Sequence, residues 1–129
     1  MMAERPRDTV LSPAGRAAMR ELLDADRERT VARAAALRRD WDAVVQSAAL
    51  VATDDEHDPE GSSTAFERAH IQALLDQARR HLADLDTALE RLRDGTYGVC
   101  ERCGRPIAVE RLEARPAAKT CVPCATTQR

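Results

Sequence analysis

Residues 73–92 read ALLDQARRHLADLDTALERL. Through this stretch Leu75, Ala78, Leu82, Leu85, Leu89 and Leu92 alternate spacings of three and four residues. That alternation is the seam of a coiled-coil helix, which buries one narrow apolar stripe and leaves its other faces to polar and charged side chains. Upstream, Thr64 followed by Glu67 forms a capping box that is expected to start the helix. Downstream, Arg91 and Arg93 suit the last turn, and Gly95 sits where a C′ residue ends it.

A single stripe of this kind needs a partner, and the first half of the chain supplies one. Ser12-Pro13 is a helix-start signal, a hydroxyl at the N-cap and a proline at the first helical position. From there to about Thr53 the only breaker is Gly15, near the start. Ala34, Leu37, Trp41, Val44, Ala48 and Val51 make a second three-four seam, which decays toward the N-terminus to Thr30 and Arg27, with Leu23 still on register. Between the helices lies DDEHDPEGSST, residues 54–64. Pro59 pushes Asp58 toward extended geometry and Gly61 gives freedom for a reversal, so a turn is expected here. Two seam-bearing helices joined by a short loop fold back on each other as an antiparallel hairpin.

Composition agrees with helix seams rather than a thick core. A third of the 129 residues are charged, and there is one Trp, one Tyr and one Phe. Twenty basic against 22 acidic residues leave a net charge of −2, so no long-range field would draw the molecule to a nucleic-acid backbone. A protein partner is expected, with no sequence-specific DNA binding. No run of eighteen apolar residues exists, and MMAERPRDTV lacks the apolar stretch of a secretory signal. The expectation is a cytoplasmic protein without membrane association, in a compartment where thiols stay reduced.

The four cysteines close the chain as two CxxC pairs, Cys100/Cys103 and Cys121/Cys124, with 17 residues between the pairs. Each pair puts two sulfurs on one tight turn, and the spacing fits the C4 zinc pattern. Four soft thiolates favour tetrahedral Zn²⁺ over Mg²⁺ or Ca²⁺. With all four positions filled by protein no activated water remains, so one structural ion is expected, and no enzyme. Arg102, Arg105, Arg115 and Lys119 are near enough in sequence to moderate the charge of the thiolates. A thiol-redox couple and an iron-sulfur centre are the competing readings of the same cysteines. His57, His70 and His81 read as solvated side chains, and no catalytic nucleophile or phosphate loop is present.

YGVCERCGRPIAVERLEARPAAKTCVPC, residues 97–124, at the end of a helical hairpin resembles the TraR/DksA family of bacterial transcription regulators. The family joins such a hairpin to a four-cysteine zinc finger containing a segment like Arg111–Pro116. The resemblance covers about residues 12–125 in architecture and is motif-specific over 97–124. It implies a mainly α fold, a long antiparallel coiled-coil hairpin with a small C-terminal zinc finger. The expected divisions are an N-terminal segment 1–11, the hairpin 12–95 with an acidic tip loop 54–63, the zinc finger 96–125 and a tail 126–129.

It also implies a partner. Family members bind RNA polymerase, inserting the hairpin into the secondary channel so that acidic tip residues approach the catalytic centre. Here the tip carries Asp54, Asp55, Glu56, Asp58 and Glu60, five carboxylates in seven residues, of which Asp54, Asp55, Asp58 and Glu60 are the expected contacts. The DksA branch has a DxxDxA tip. Aligning on Asp58-Pro59 puts Gly61 at its second aspartate, whereas using Asp55 and Asp58 puts Glu60 at its alanine. A tip that differs in either register implies an output that differs too.

For the alarmone ppGpp, which the DksA branch binds through basic residues near the zinc finger, Arg115 matches. Asp84 and Ala125 fall where that branch has lysines, so little or no ppGpp dependence is expected through that site. The chain stops five residues after Cys124, leaving at most a stub of the branch's C-terminal helix, and a monomer is expected. A zinc-dependent DNA binder and a CxxC thiol oxidoreductase are the alternative functions.

Overall fold

The computed structural model describes residues 11–52 and 59–127, with side chains described at 11–50 and 63–127. Among these residues there are four helices: α1 (Pro13–Ala52), α2 (Pro59–Asp94), α3 (Val109–Ala114) and α4 (Val122–Thr127). The pairing of extended backbone there is a single bridge between Val99 and Pro106.

Ser12 caps α1 as its sequence predicts. Its Oγ accepts the N–H of Gly15 at 3.0 Å, and its carbonyl accepts the N–H of Arg16 at 2.8 Å. The start of α2 differs from expectation. The helix begins at Pro59, five residues before the Thr64/Glu67 box, and includes Gly61. A proline at the first helical position loses no intrahelical bond and brings a helical φ already set, so it competes well with a capping box downstream. At the other end Gly95 adopts φ 84° and the N–H of Thr96 reaches back to the carbonyl of Arg91 at 2.9 Å. This is a Schellman closure, and its positive φ is why glycine stands there.

The chain packs as two compact units, one taking the chain up to Arg27 together with Ala83 onward, the other Glu28–Leu82. In the second unit Leu37, Ile71 and Leu75 form the buried centre, with Ala34, Trp41, Val44 and Leu74 packed against it. Antiparallel α1 and α2 segments each contribute one stripe. Trp41 is thus a seam residue, half buried.

The first unit has a broader core, made by Met19 and Leu23 of α1, Leu85, Ala88 and Leu92 of α2, and Tyr97, Cys100, Ile107 and Leu112 beyond it. Here α2 packs against α1 and against the C-terminal module at once. A wider stripe is therefore covered, and Ala88, off the predicted seam, is buried while Leu89 is partly buried.

Asp54, Asp55, Glu56 and Asp58 lie outside the described residues. Glu60 lies in α2, but its side chain is outside them as well.

Candidate metal centre

The first CxxC sits on a knuckle built from backbone. After Gly98 (φ 87°) the chain turns so that Ile107 N–H meets Gly98 carbonyl at 2.8 Å and Cys100 N–H meets Arg105 carbonyl at 2.8 Å. The return is made by Gly104, φ 76°, whose N–H reaches Cys100 carbonyl at 2.9 Å. A residue with a Cβ would be strained at that φ, so the sequence Cys-Gly after the xx pair has a geometric reason. The second CxxC opens α4, with Cys121 carbonyl accepting the N–H of Ala125 at 2.9 Å.

Three tethers bring the two knuckles together and fix them to α2. Glu101 N–H of the first knuckle donates to Lys119 carbonyl at 2.9 Å, and Arg111 Nε of α3 donates to Thr120 carbonyl at 2.9 Å. Arg91, in the last turn of α2, donates to the carbonyls of Val99 at 2.6 Å and Thr96 at 3.3 Å. Tyr97 is buried, its hydroxyl donating to Pro116 carbonyl at 2.7 Å, and burial pushes its pKa up to about 12. Leu112 is the buried residue of α3.

The four cysteine Sγ atoms converge, all within 4.8 Å of one another, and Cys103 and Cys121 are 3.7 Å apart. Zn–S bonds of about 2.3 Å in a tetrahedron require S···S edges of about 3.8 Å, so the spacing matches a single ion. The thiols are free, with Cys100 buried, Cys121 and Cys124 half buried and Cys103 exposed.

Their proton affinities diverge. Burial opposes ionisation of Cys100, but hydrogen bonds from the backbone N–H groups of Cys103, Cys121 and Arg102 outweigh it and lower the pKa to about 6. Cys124 is pushed up to about 12, chiefly by its hydrogen bond with Cys121 and then by burial. Without a metal the cluster accommodates negative charge on one sulfur at the expense of another. A divalent ion bound by all four removes that conflict, which is the chemistry of a thiolate cage. The donor set and spacing fit one structural Zn²⁺.

Sequence reasoning did not find Arg91, Tyr97 and Arg111 as the residues that hold the module. Their partners are carbonyls, which leave no mark in side-chain patterning. Lys119, expected to moderate the thiolate charge, instead places its ammonium 3.2 Å from Asp84 Oδ1. Arg102, Arg105 and Arg115 are exposed.

Hairpin and module together define a helical protein closed by a four-cysteine zinc finger. Residues 95–128 match the prokaryotic dksA/traR C4-type zinc finger. The RNA polymerase-binding transcription factor DksA of Caulobacter vibrioides is 43% identical over 61 residues, 47% of this chain and 43% of that protein. Its namesake from Escherichia coli is 39% identical over 51 residues, 40% of this chain and 34% of that protein. Each alignment thus spans less than half of the curated relative. In structure the likeness is broader: the transcription factor DksA2 from Pseudomonas aeruginosa superposes with a TM-score of 0.74 at 27% identity, covering 91% of this chain and 84% of that one. The zinc finger is thus of the dksA/traR type, and the fold is similar to that of DksA2 over most of the chain. Among the described residues no helix is long and apolar enough to cross a membrane.

Proposed function

We propose that this protein is a transcription regulator that binds RNA polymerase and inserts the hairpin into the secondary channel. Cys100, Cys103, Cys121 and Cys124 hold one structural Zn²⁺ at the hairpin's base, and Asp54, Asp55, Asp58 and Glu60 act at its tip. The observation that carries this reading is the joint likeness to DksA2 across both hairpin and zinc finger, a combination that a generic zinc ribbon lacks. The carboxylate run supports the choice of the tip as the working end, because it can meet basic channel residues or perturb a nearby Mg²⁺ environment.

The zinc site has a structural role. Four protein donors complete a tetrahedral shell, so the protein works by binding and not as an enzyme. Little or no ppGpp dependence is part of the reading, supported by the carboxylate of Asp84 and its pairing with Lys119. The protein acts as a cytoplasmic monomer.

The test is binding of zinc-loaded protein to core RNA polymerase, beside an Asp55→Ala, Asp58→Ala double variant, with open-complex lifetime as readout. Both proteins should bind and only the wild type should change the lifetime. Absence of binding by the wild type would remove the reading.

A further inference from the structure

Exposed apolar side chains of the cysteine module gather beside the thiols. Pro106 and Ala108, after the first knuckle, and Val122 and Pro123, at the start of α4, border a groove of about 430 Å³ together with Arg105 and Arg111. Cys103, Cys121 and Cys124 form part of its wall, while Cys100 is buried in the core. All four apolar residues are exposed, Val122 at 51%. An ion held among the sulfurs would take up only a small part of that volume.

A competing ligand takes zinc from such a cage as one thiolate leaves, and the exposed thiolate, Cys103, lies at the groove. A filled groove closes that route, and an open one offers it. The chain has a segment that can fill it. Leu11, where the described residues begin, packs against the same core cluster as Cys121 and Cys124, so residues 1–10 leave from the module's own end of the protein. Ten residues reach about 33 Å when extended, and a module the size of residues 95–128 has a radius of gyration of about 8 Å, so its whole surface is within range. The segment, MMAERPRDTV, starts with three apolar residues, and Met, unbranched and polarisable, fills irregular apolar gaps. Arg5 before Pro6 is biased toward extended backbone, which suits a strap.

We infer that residues 1–10 form a strap across the cysteine module, with Met1 and Met2 seated in the groove and covering Cys103. The inference is independent of the polymerase reading. The strap governs how readily the metal is exchanged and leaves the fold of the module unchanged, because the buried residues Tyr97, Ile107 and Leu112 lie in the core and not in the groove. A strap closed about four-fifths of the time leaves about one molecule in five open to attack, and so slows zinc transfer about fivefold.

The experiment follows the rate of zinc transfer from the full-length protein to an excess of chromophoric chelator. Beside it runs a variant lacking residues 2–10, which keeps Ser12 and Pro13 and with them the start of α1. Transfer should be about fivefold faster from the truncated protein, with helicity at the wild-type value. Val122→Asn, a neutral polar change at an exposed groove position, should speed transfer from the full-length protein and add nothing in the truncated one. In the zinc-loaded full-length protein, nuclear Overhauser contacts should join the Val122 methyl groups to those of Met1 or Met2. Equal transfer rates with and without residues 2–10, or an equal effect of Val122→Asn in both backgrounds, would overturn the inference. Methyl contacts that vanish on dilution would assign the groove to the segment of a second copy, and that result overturns it as well.

Discussion

Replacing Leu112 by Ala should couple packing to metal affinity. Leu112 has no exposed surface and is the buried residue of the six-residue α3, a helix far too short to persist without tertiary contacts. It belongs to one cluster with Ile107, Tyr97, Leu92 and Leu85. Leu→Ala at such sites costs about 2–5 kcal/mol, depending on how far the cavity collapses. In a small zinc module the free energy of binding is also free energy of folding. Most of the loss should therefore appear as weaker zinc binding, about 30-fold to several-thousand-fold at 1.36 kcal/mol per decade. The assay is competition for zinc with a chromophoric chelator at fixed pH, beside far-ultraviolet circular dichroism. The hairpin signal should persist, because Leu37, Ile71 and Leu75 lie in a separate cluster. Wild-type zinc affinity in Leu112→Ala would refute the reasoning, since it would mean that the metal cage forms without the core beneath it.

Chelating the metal should disorganise the cysteine module while leaving much of the helical signal; loss of all helicity in one transition, followed by circular dichroism, would contradict this. Lys119→Ala should lower stability by less than about 1 kcal/mol in urea unfolding, because Lys119 and Asp84 are 41% and 42% exposed and solvent screens their attraction. Zinc affinity should fall as pH falls, because each sulfur must lose its proton to bind; competition titrations should show a rise with pH, and a flat profile would rule out thiolate ligation. In hydrogen exchange, amides around Leu37 and Ile71 should open before those around Leu23 and Leu85, since the former rest on a thin two-helix seam; uniform protection would count against two packing regimes.

Much of the fold was legible because the seams are periodic. Leu37, Leu75, Ala78, Leu85 and Leu92 are buried where the three-four alternation puts them, and Ser12 and Gly95 end their helices as their chemistry demands. The start of α2 was misread because two valid signals stood five residues apart, and Pro59 prevailed over Thr64. Ala88 was missed for a different reason. Its burial depends on a module folded against α2 from residues 97–112, and no pattern within the helix contains that information. At the site, CxxC spacing identified the thiols that converge. The groups that position them bond to carbonyls, which every residue carries, so sequence could not single them out.

The division of labour within the cysteine module follows from which contacts need the metal. Cys100 and Cys103 are joined to Cys121 and Cys124 by the Glu101–Lys119 backbone bond and by proximity of sulfur, and thiolates crowded this closely repel one another unless a cation lies among them. The attachment to α2 is different in kind. It consists of the bonds from Arg91 to Val99 and Thr96, the Schellman turn at Gly95 and the burial of Tyr97, Ile107 and Leu112 against Leu85, Ala88 and Leu92. Of the four thiols, Cys100 is part of that core, and Cys121 and Cys124 pack against it. The ion sets the internal geometry of the module, while carbonyl bonding and an apolar core that includes Cys100 set its orientation on the helix that precedes it. Zinc reaches that orientation indirectly, by keeping residues 105–118 folded so that Ile107 and Leu112 remain available to the core.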